Sequence, residues 1–195
     1  MKTSVGSAVS FLLLASTAAA SFYDLTAIDV DGKNVSLSPY KGTVSLVVNV
    51  ATYWGTTKAN YERMQSLQKE YLGKPVNILL FPCNQFLFQE PDTNAKIKAF
   101  AGGYLNFTRG DVKLFSKSGC NSPCKSSGSD QCNLSSKKCC TANNPVYDYL
   151  KAQIPGSLSW NFNKFIVGKD GIPIAPRFGD NAYADKLETA INKLL

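Results

Sequence analysis

The chain has 195 residues, 44% of them hydrophobic and 11% aromatic, which suits one globular domain with a sizeable core. Its formal charge of +7 is scattered along the sequence apart from Lys137-Lys138, so it offers no basic stripe for nucleic acid. It contains no histidine, which excludes Ser-His-Asp and Cys-His catalysis and removes the commonest zinc ligand.

From the N-terminus, Lys2 is followed by a short apolar run, residues 9–15, and Ala18-Ala19-Ala20 has the A-x-A form of a cleavage site. Residues 1–20 therefore read as a signal peptide and residues 21–195 as the mature domain. The run is too short to span a bilayer, which takes about 20 apolar residues, and nothing later approaches that length. The expectation is a protein secreted or held in the secretory-pathway lumen, with no membrane insertion. Asn34-Val35-Ser36, Asn106-Phe107-Thr108 and Asn133-Leu134-Ser135 are glycosylation acceptor triplets. Six cysteines, five of them between positions 120 and 140, fit an oxidising compartment.

Residues 22–29 alternate apolar and polar side chains before Asp31-Gly32, predicting a hairpin whose return strand is residues 34–37. Residues 44–50 are an apolar, β-branched run, predicting a central strand covered on both faces. Tyr61, Met64, Leu67 and Tyr71 recur at helical spacing, and residues 76–82 form a second buried strand, completing a βαβ unit. Asp92-Thr93-Asn94 caps a second helix with Ile97, Phe100 and Ala101 inward, and residues 112–115 suggest a short strand. Residues 116–144 are rich in Ser, Gly, Lys, Asn and Cys and read as a surface insertion, at about 118–143. A helix carrying Tyr147, Leu150 and Ile154 follows, then a hairpin (162–167 and 172–175, turning at Lys169-Asp170-Gly171) and a helix over 182–195. This order describes an α/β thioredoxin-like sandwich, a central mixed sheet flanked by helices.

In such a fold the reactive group sits at the N-terminus of the first central helix, where the helix dipole stabilises an anion. Here that place is Trp54-Gly55. The surrounding residues Asn49-Val50-Ala51-Thr52-Tyr53-Trp54-Gly55-Thr56-Thr57 resemble the first signature of glutathione peroxidases, N-V-A-S-x-(Cys or selenocysteine)-G-x-T. Residues 81–91, FPCNQFLFQEP, resemble the second, and Trp160-Asn161-Phe162-Asn163-Lys164-Phe165 the third, W-N-F-x-K-F. The resemblance implies peroxide reduction by a thiolate or selenolate, with glutathione or thioredoxin as reductant and no resident cofactor or metal. It carries the catalytic tetrad onto Trp54, Gln89, Trp160 and Asn161. Its partners would be small peroxides and thiols; it leaves the oligomeric state open.

Three departures stand out. Trp54 has no thiol or selenol, Ala101 stands where the thioredoxin-dependent branch has its resolving Cys, and Leu87 replaces a glycine. Three readings of Trp54 stay open: a UGA codon for selenocysteine rendered as Trp, a genuine Trp in a pseudoenzyme, or catalysis by another Cys. Cys83 reads as a small buried hydrophobe. Cys120, Cys124, Cys132, Cys139 and Cys140 permit two disulfides with one thiol left over, or a Cys-only zinc cluster. Arg177-Phe178 resembles an Arg-aromatic pair of the family that would favour glutathione.

Overall fold

The computed structural model describes residues 21–121, 143–180 and 184–195. The proposed signal peptide, most of the Cys-rich segment, its four cysteines beyond Cys120, and Asn133 lie outside the described residues.

Two strands form the centre. β3 (Val44–Val50) is buried along its whole length and pairs in parallel with β4 (Val76–Pro82), with Val48 opposite Leu80. Between them runs α1 (Thr57–Glu70), the crossover helix. β5 (Val112–Leu114) adds in parallel beyond β4; β6 (Lys164–Val167) and β7 (Pro173–Phe178) add antiparallel beyond β3. The result is a mixed five-stranded sheet in the order β5-β4-β3-β6-β7. A separate hairpin joins β1 (Thr26–Ile28) to β2 (Asn34–Ser36), as the alternation and the Asp31-Gly32 turn predict.

Side chains alternate across the sheet, so the two faces of β3 feed two cores. Val44, Leu46, Val48 and Val50 pack with Tyr61, Met64 and Leu67 of α1, with Ile97 and Ala101 of α2 (Asn94–Gly102), and with Leu187 and Ile191 of α4 (Ala184–Asn192). Val47 joins Leu79, Phe81, Phe115 and Phe165 against Phe22, Tyr23 and the helix α3 (Asn144–Gln153), through Val146, Tyr147 and Leu150. Phe81 and Phe115 stack face to face at 4.2 Å.

Three expectations change. Phe22–Asp24 is a 3-10 turn rather than strand, because Ser21 and Asp24 close a capping box around it. Phe162 lies outside the sheet with φ +56°, and β6 begins only at Lys164. The predicted surface insertion is core at both ends: Ser116, Lys117, Ser118, Cys120 and Asn143 are all buried. Most of their polar groups find partners distant in sequence, which is what allows burial, while Ser118 Oγ is left without one. Ser118 N–H donates to Pro82 O, Asn143 Nδ2 donates to Ser116 O, and Lys117 Nζ donates to the carbonyls of Glu90, Pro91 and Asp92.

Candidate active site

The three signature segments meet at the C-terminal end of β3. The turn after Val50 is closed by Thr57, whose hydroxyl donates to Ala51 O (2.7 Å) and accepts from Trp54 N–H (3.1 Å). Tyr53 N–H donates to Gln89 O (3.0 Å), fastening that turn to the second segment. Asn49 Nδ2 donates to Trp160 O, and Phe162 N–H donates to Asn49 O, fastening the third. Asn49 thus joins a strand end to the W-N-F loop with both its side chain and its backbone.

All four sequence-predicted site residues are brought together. Asn161, fully buried, donates through Nδ2 to Gln89 Oε1 at 2.6 Å. Trp160 lies edge-on to Trp54, ring centroids 5.4 Å apart, and also touches Phe86. The Gln89–Asn161 bond occupies the Gln89 carbonyl and so fixes its amide N–H groups as the end left to donate. Thr52 hydrogen-bonds the Glu90 carboxyl through side chain and backbone. Among the described residues, the buried side-chain atoms with no hydrogen-bond partner include three in the signature segments: Asn49 Oδ1, Trp160 Nε1 and Asn161 Oδ1. Native interiors rarely leave polar atoms unpaired, so their concentration here marks a site shaped for something other than stability.

Trp54 is half-buried, and its indole N–H donates to Asp180 Oδ2 at 2.8 Å. Asp180 also accepts from Thr56 Oγ1 and from Asn60 Nδ2 (2.7 Å). Asn60 Oδ1 in turn accepts from Lys164 Nζ, which further donates to the carbonyls of Phe162 and Gly179. Burial pushes the Lys164 ammonium down to about 8, against the opposing pull of Asp180. Glu90, beside Gln89, is buried, and loss of water pushes its carboxyl up to about 8 despite Thr52 and the Lys117 ammonium.

Sequence reasoning missed Asp180 and Asn60, which carry no motif of their own, and did not single out Glu90 and Lys164 within theirs. Of the three departures, Leu87 has φ +49° and Phe88 φ +56°, both left-handed and exposed, so the backbone keeps a glycine-type turn although the glycine is gone. Ala101 is sealed inside α2. Arg177 is engaged away from the tetrad, donating to Gly156 O and lying over the Phe165 ring. Of the five cysteines in the zinc alternative, Cys120 is described and buried, and the other four lie outside the described residues.

Residues 22–127 match the family model for glutathione peroxidase. The chain is 34% identical to the chloroplastic phospholipid hydroperoxide glutathione peroxidase 1 of Arabidopsis thaliana, over 89% of this chain and 66% of that protein. It is 37% identical to glutathione peroxidase 7 of Bos taurus, over 84% of this chain and 79% of the relative. The solved structure of T. cruzi GPX1 superimposes with a TM-score of 0.63 at 28% identity, covering 90% of this chain and 96% of that one. The signatures, the sheet order and these likenesses agree: the chain belongs to the glutathione peroxidase family.

Proposed function

We propose that the chain is a secreted peroxidase-type protein whose Trp54 form holds hydroperoxides without reducing them. Family membership supports peroxide reduction in general terms. One observation carries the finer reading: Trp54 occupies the chalcogen position, tied by its indole N–H to Asp180 and packed on Trp160. An indole offers no lone pair able to displace oxygen from a peroxide at useful rates. The remaining donors, the Gln89 amide and Trp160 Nε1, can still grip a peroxide oxygen. Export is supported by the leader-like residues 1–20 and by the exposure of Asn34 and Asn106.

A second reading keeps the same pocket and makes residue 54 a selenocysteine read through UGA. The retained Gln89–Asn161 bond and the unpaired Trp160 N–H favour it, since an inert slot has no need of them. There the selenolate attacks one peroxide oxygen, the O–O bond breaks, and the departing oxyanion takes a proton. The resulting selenenic acid is reduced by two thiols, giving a disulfide and water.

Hydroperoxide consumption by purified mature protein, with glutathione and separately with thioredoxin, tests both. Protein whose mass confirms Trp54 is expected to give no turnover, and turnover by that protein sinks the first reading. A UGA codon at position 54, with turnover by the selenium-containing product, establishes the second.

A further inference from the structure

Cys83 and Cys120 lie outside the tetrad and are buried, at 0% and 1% exposure. Their sulfurs are 2.7 Å apart, in contact across 37 residues of chain. The approach is built into the fold. Cys83 follows directly on β4, held by its N–H on Val50 O, while Ser118 N–H donates to Pro82 O and carries the β4–β5 pairing onward. Gln85 then clamps the next turn, its Oε1 accepting from Cys120 N–H (2.7 Å) and Asn121 N–H (2.9 Å). Asn121 is fixed at its other end, donating through Nδ2 to Leu158 O and accepting from Leu158 N–H. Phe81, Phe115 and Tyr147 belong to the same apolar cluster as the two sulfurs.

We propose that Cys83 and Cys120 form a structural disulfide, made during folding by exchange with a low-molecular-weight disulfide such as oxidised glutathione. One thiolate attacks a sulfur of the small disulfide, giving a mixed disulfide and releasing one small thiolate. The second protein thiolate attacks the mixed-disulfide sulfur on the protein, forming the Cys83–Cys120 bond and releasing the other small thiolate. The two protons lost by the protein thiols end on the two small thiols, and the oxidant gains the two electrons.

The cysteine count agrees. Five cysteines in the 120–140 segment leave one over; assigning Cys120 to Cys83 leaves Cys124, Cys132, Cys139 and Cys140, an even set. Once closed, the bond is sealed from solvent, so it acts as a staple rather than a turnover thiol pair. It anchors the start of the Cys-rich segment to the loop that carries Gln89. Nothing in this depends on what residue 54 does.

The test is mass spectrometry of the full mature chain, reduced and refolded in a glutathione redox buffer, then alkylated under denaturing conditions without reductant. After trypsin, the peptide 70–96 with Cys83 is expected joined to the peptide 118–125, with a loss of two hydrogens that disappears on reduction. Since that second peptide also holds Cys124, a Cys124→Ser variant is expected to keep the link and Cys120→Ser to lose it. Alkylated Cys83 in the refolded wild type, or Cys83 joined to any other cysteine, overturns the proposal. Because the wild-type readout suffices, a variant that fails to fold does not block the test.

Discussion

The indole N–H of Trp54 donates to the carboxylate of Asp180 at 2.8 Å, across 126 residues of sequence. The same carboxylate takes hydrogen bonds from Thr56 and Asn60 at the start of α1. Asp180→Ala therefore removes three bonds to a charged acceptor, and we expect a loss of about 2 kcal/mol in urea unfolding, since such bonds typically contribute about 1.5–3 kcal/mol each before compensation. The chain has two tryptophans, so emission from a Trp54→Phe control isolates Trp160. Released from Asp180, Trp54 is expected to emit further to the red. An unchanged spectrum with unchanged stability would show that the bond holds nothing.

Trp54→Cys restores a nucleophilic sulfur beside Gln89, Asn161 and Trp160. Measurable hydroperoxide reduction with a thiol reductant is the expected outcome. In that background Gln89→Ala removes both a donor and the acceptor for Asn161, lowering kcat on the order of 10²-fold, as loss of a single preorganised donor typically does. If Trp54→Cys is inactive while circular dichroism shows an intact fold, the pocket has diverged beyond the missing atom.

Leu87 adopts φ +49° and is exposed, so its side chain contributes backbone strain with little burial in return. Leu87→Gly is expected to stabilise by about 1 kcal/mol, the cost of holding a non-glycine residue in the left-handed region. A urea midpoint equal to or below wild type would show that the turn is held by contacts of the Leu side chain instead.

Glu90 gives stability a pH signature. Burial raises its carboxyl from 4.5 to about 8, so between those values the folded chain holds a proton the unfolded chain has released. The Glu90 contribution is fully present below pH 4.5 and is lost as pH rises through 8, with a slope of at most about 1.4 kcal/mol per pH unit. Lys164 runs the other way: its folded value is lowered to about 8 from 10.5, so its burial cost is full below 8 and is relieved as pH rises towards 10.5. Together they place a minimum near pH 8. Glu90→Gln is expected to remove the decline between pH 5 and 8 while leaving the rise above 8; curves parallel to wild type would refute the assignment.

Much of this was readable in the chain, for physical reasons that differ by element. β3 and β4 are continuous β-branched and apolar runs, and both match the sequence reading residue for residue. The meeting of Trp54, Gln89, Trp160 and Asn161 was legible because these residues sit in three short signatures that the strand ends bring to one place. Phe22–Asp24 misled because a capping box overrides alternation over so short a stretch. Ser116–Cys120 misled because small polar residues read as solvent-exposed, while their burial depends on carbonyls and strands far away in sequence. Asp180 and the Cys83–Cys120 contact were invisible for that reason: each is defined by tertiary approach alone.

The Asp180 carboxylate bears on how reversible the change at position 54 is. A carboxylate that steadies a neutral indole N–H repels a thiolate or selenolate, raising the pKa of any chalcogen placed nearby and slowing its reaction. Trp54→Cys alone would meet an electrostatic penalty that Trp54→Cys with Asp180→Asn would not, so the double variant should show the lower thiol pKa and the faster rate. The partner that makes Trp54 comfortable thus acts as a brake: Trp54→Cys alone regains a slow reaction, and Asp180→Asn is the second step that speeds it.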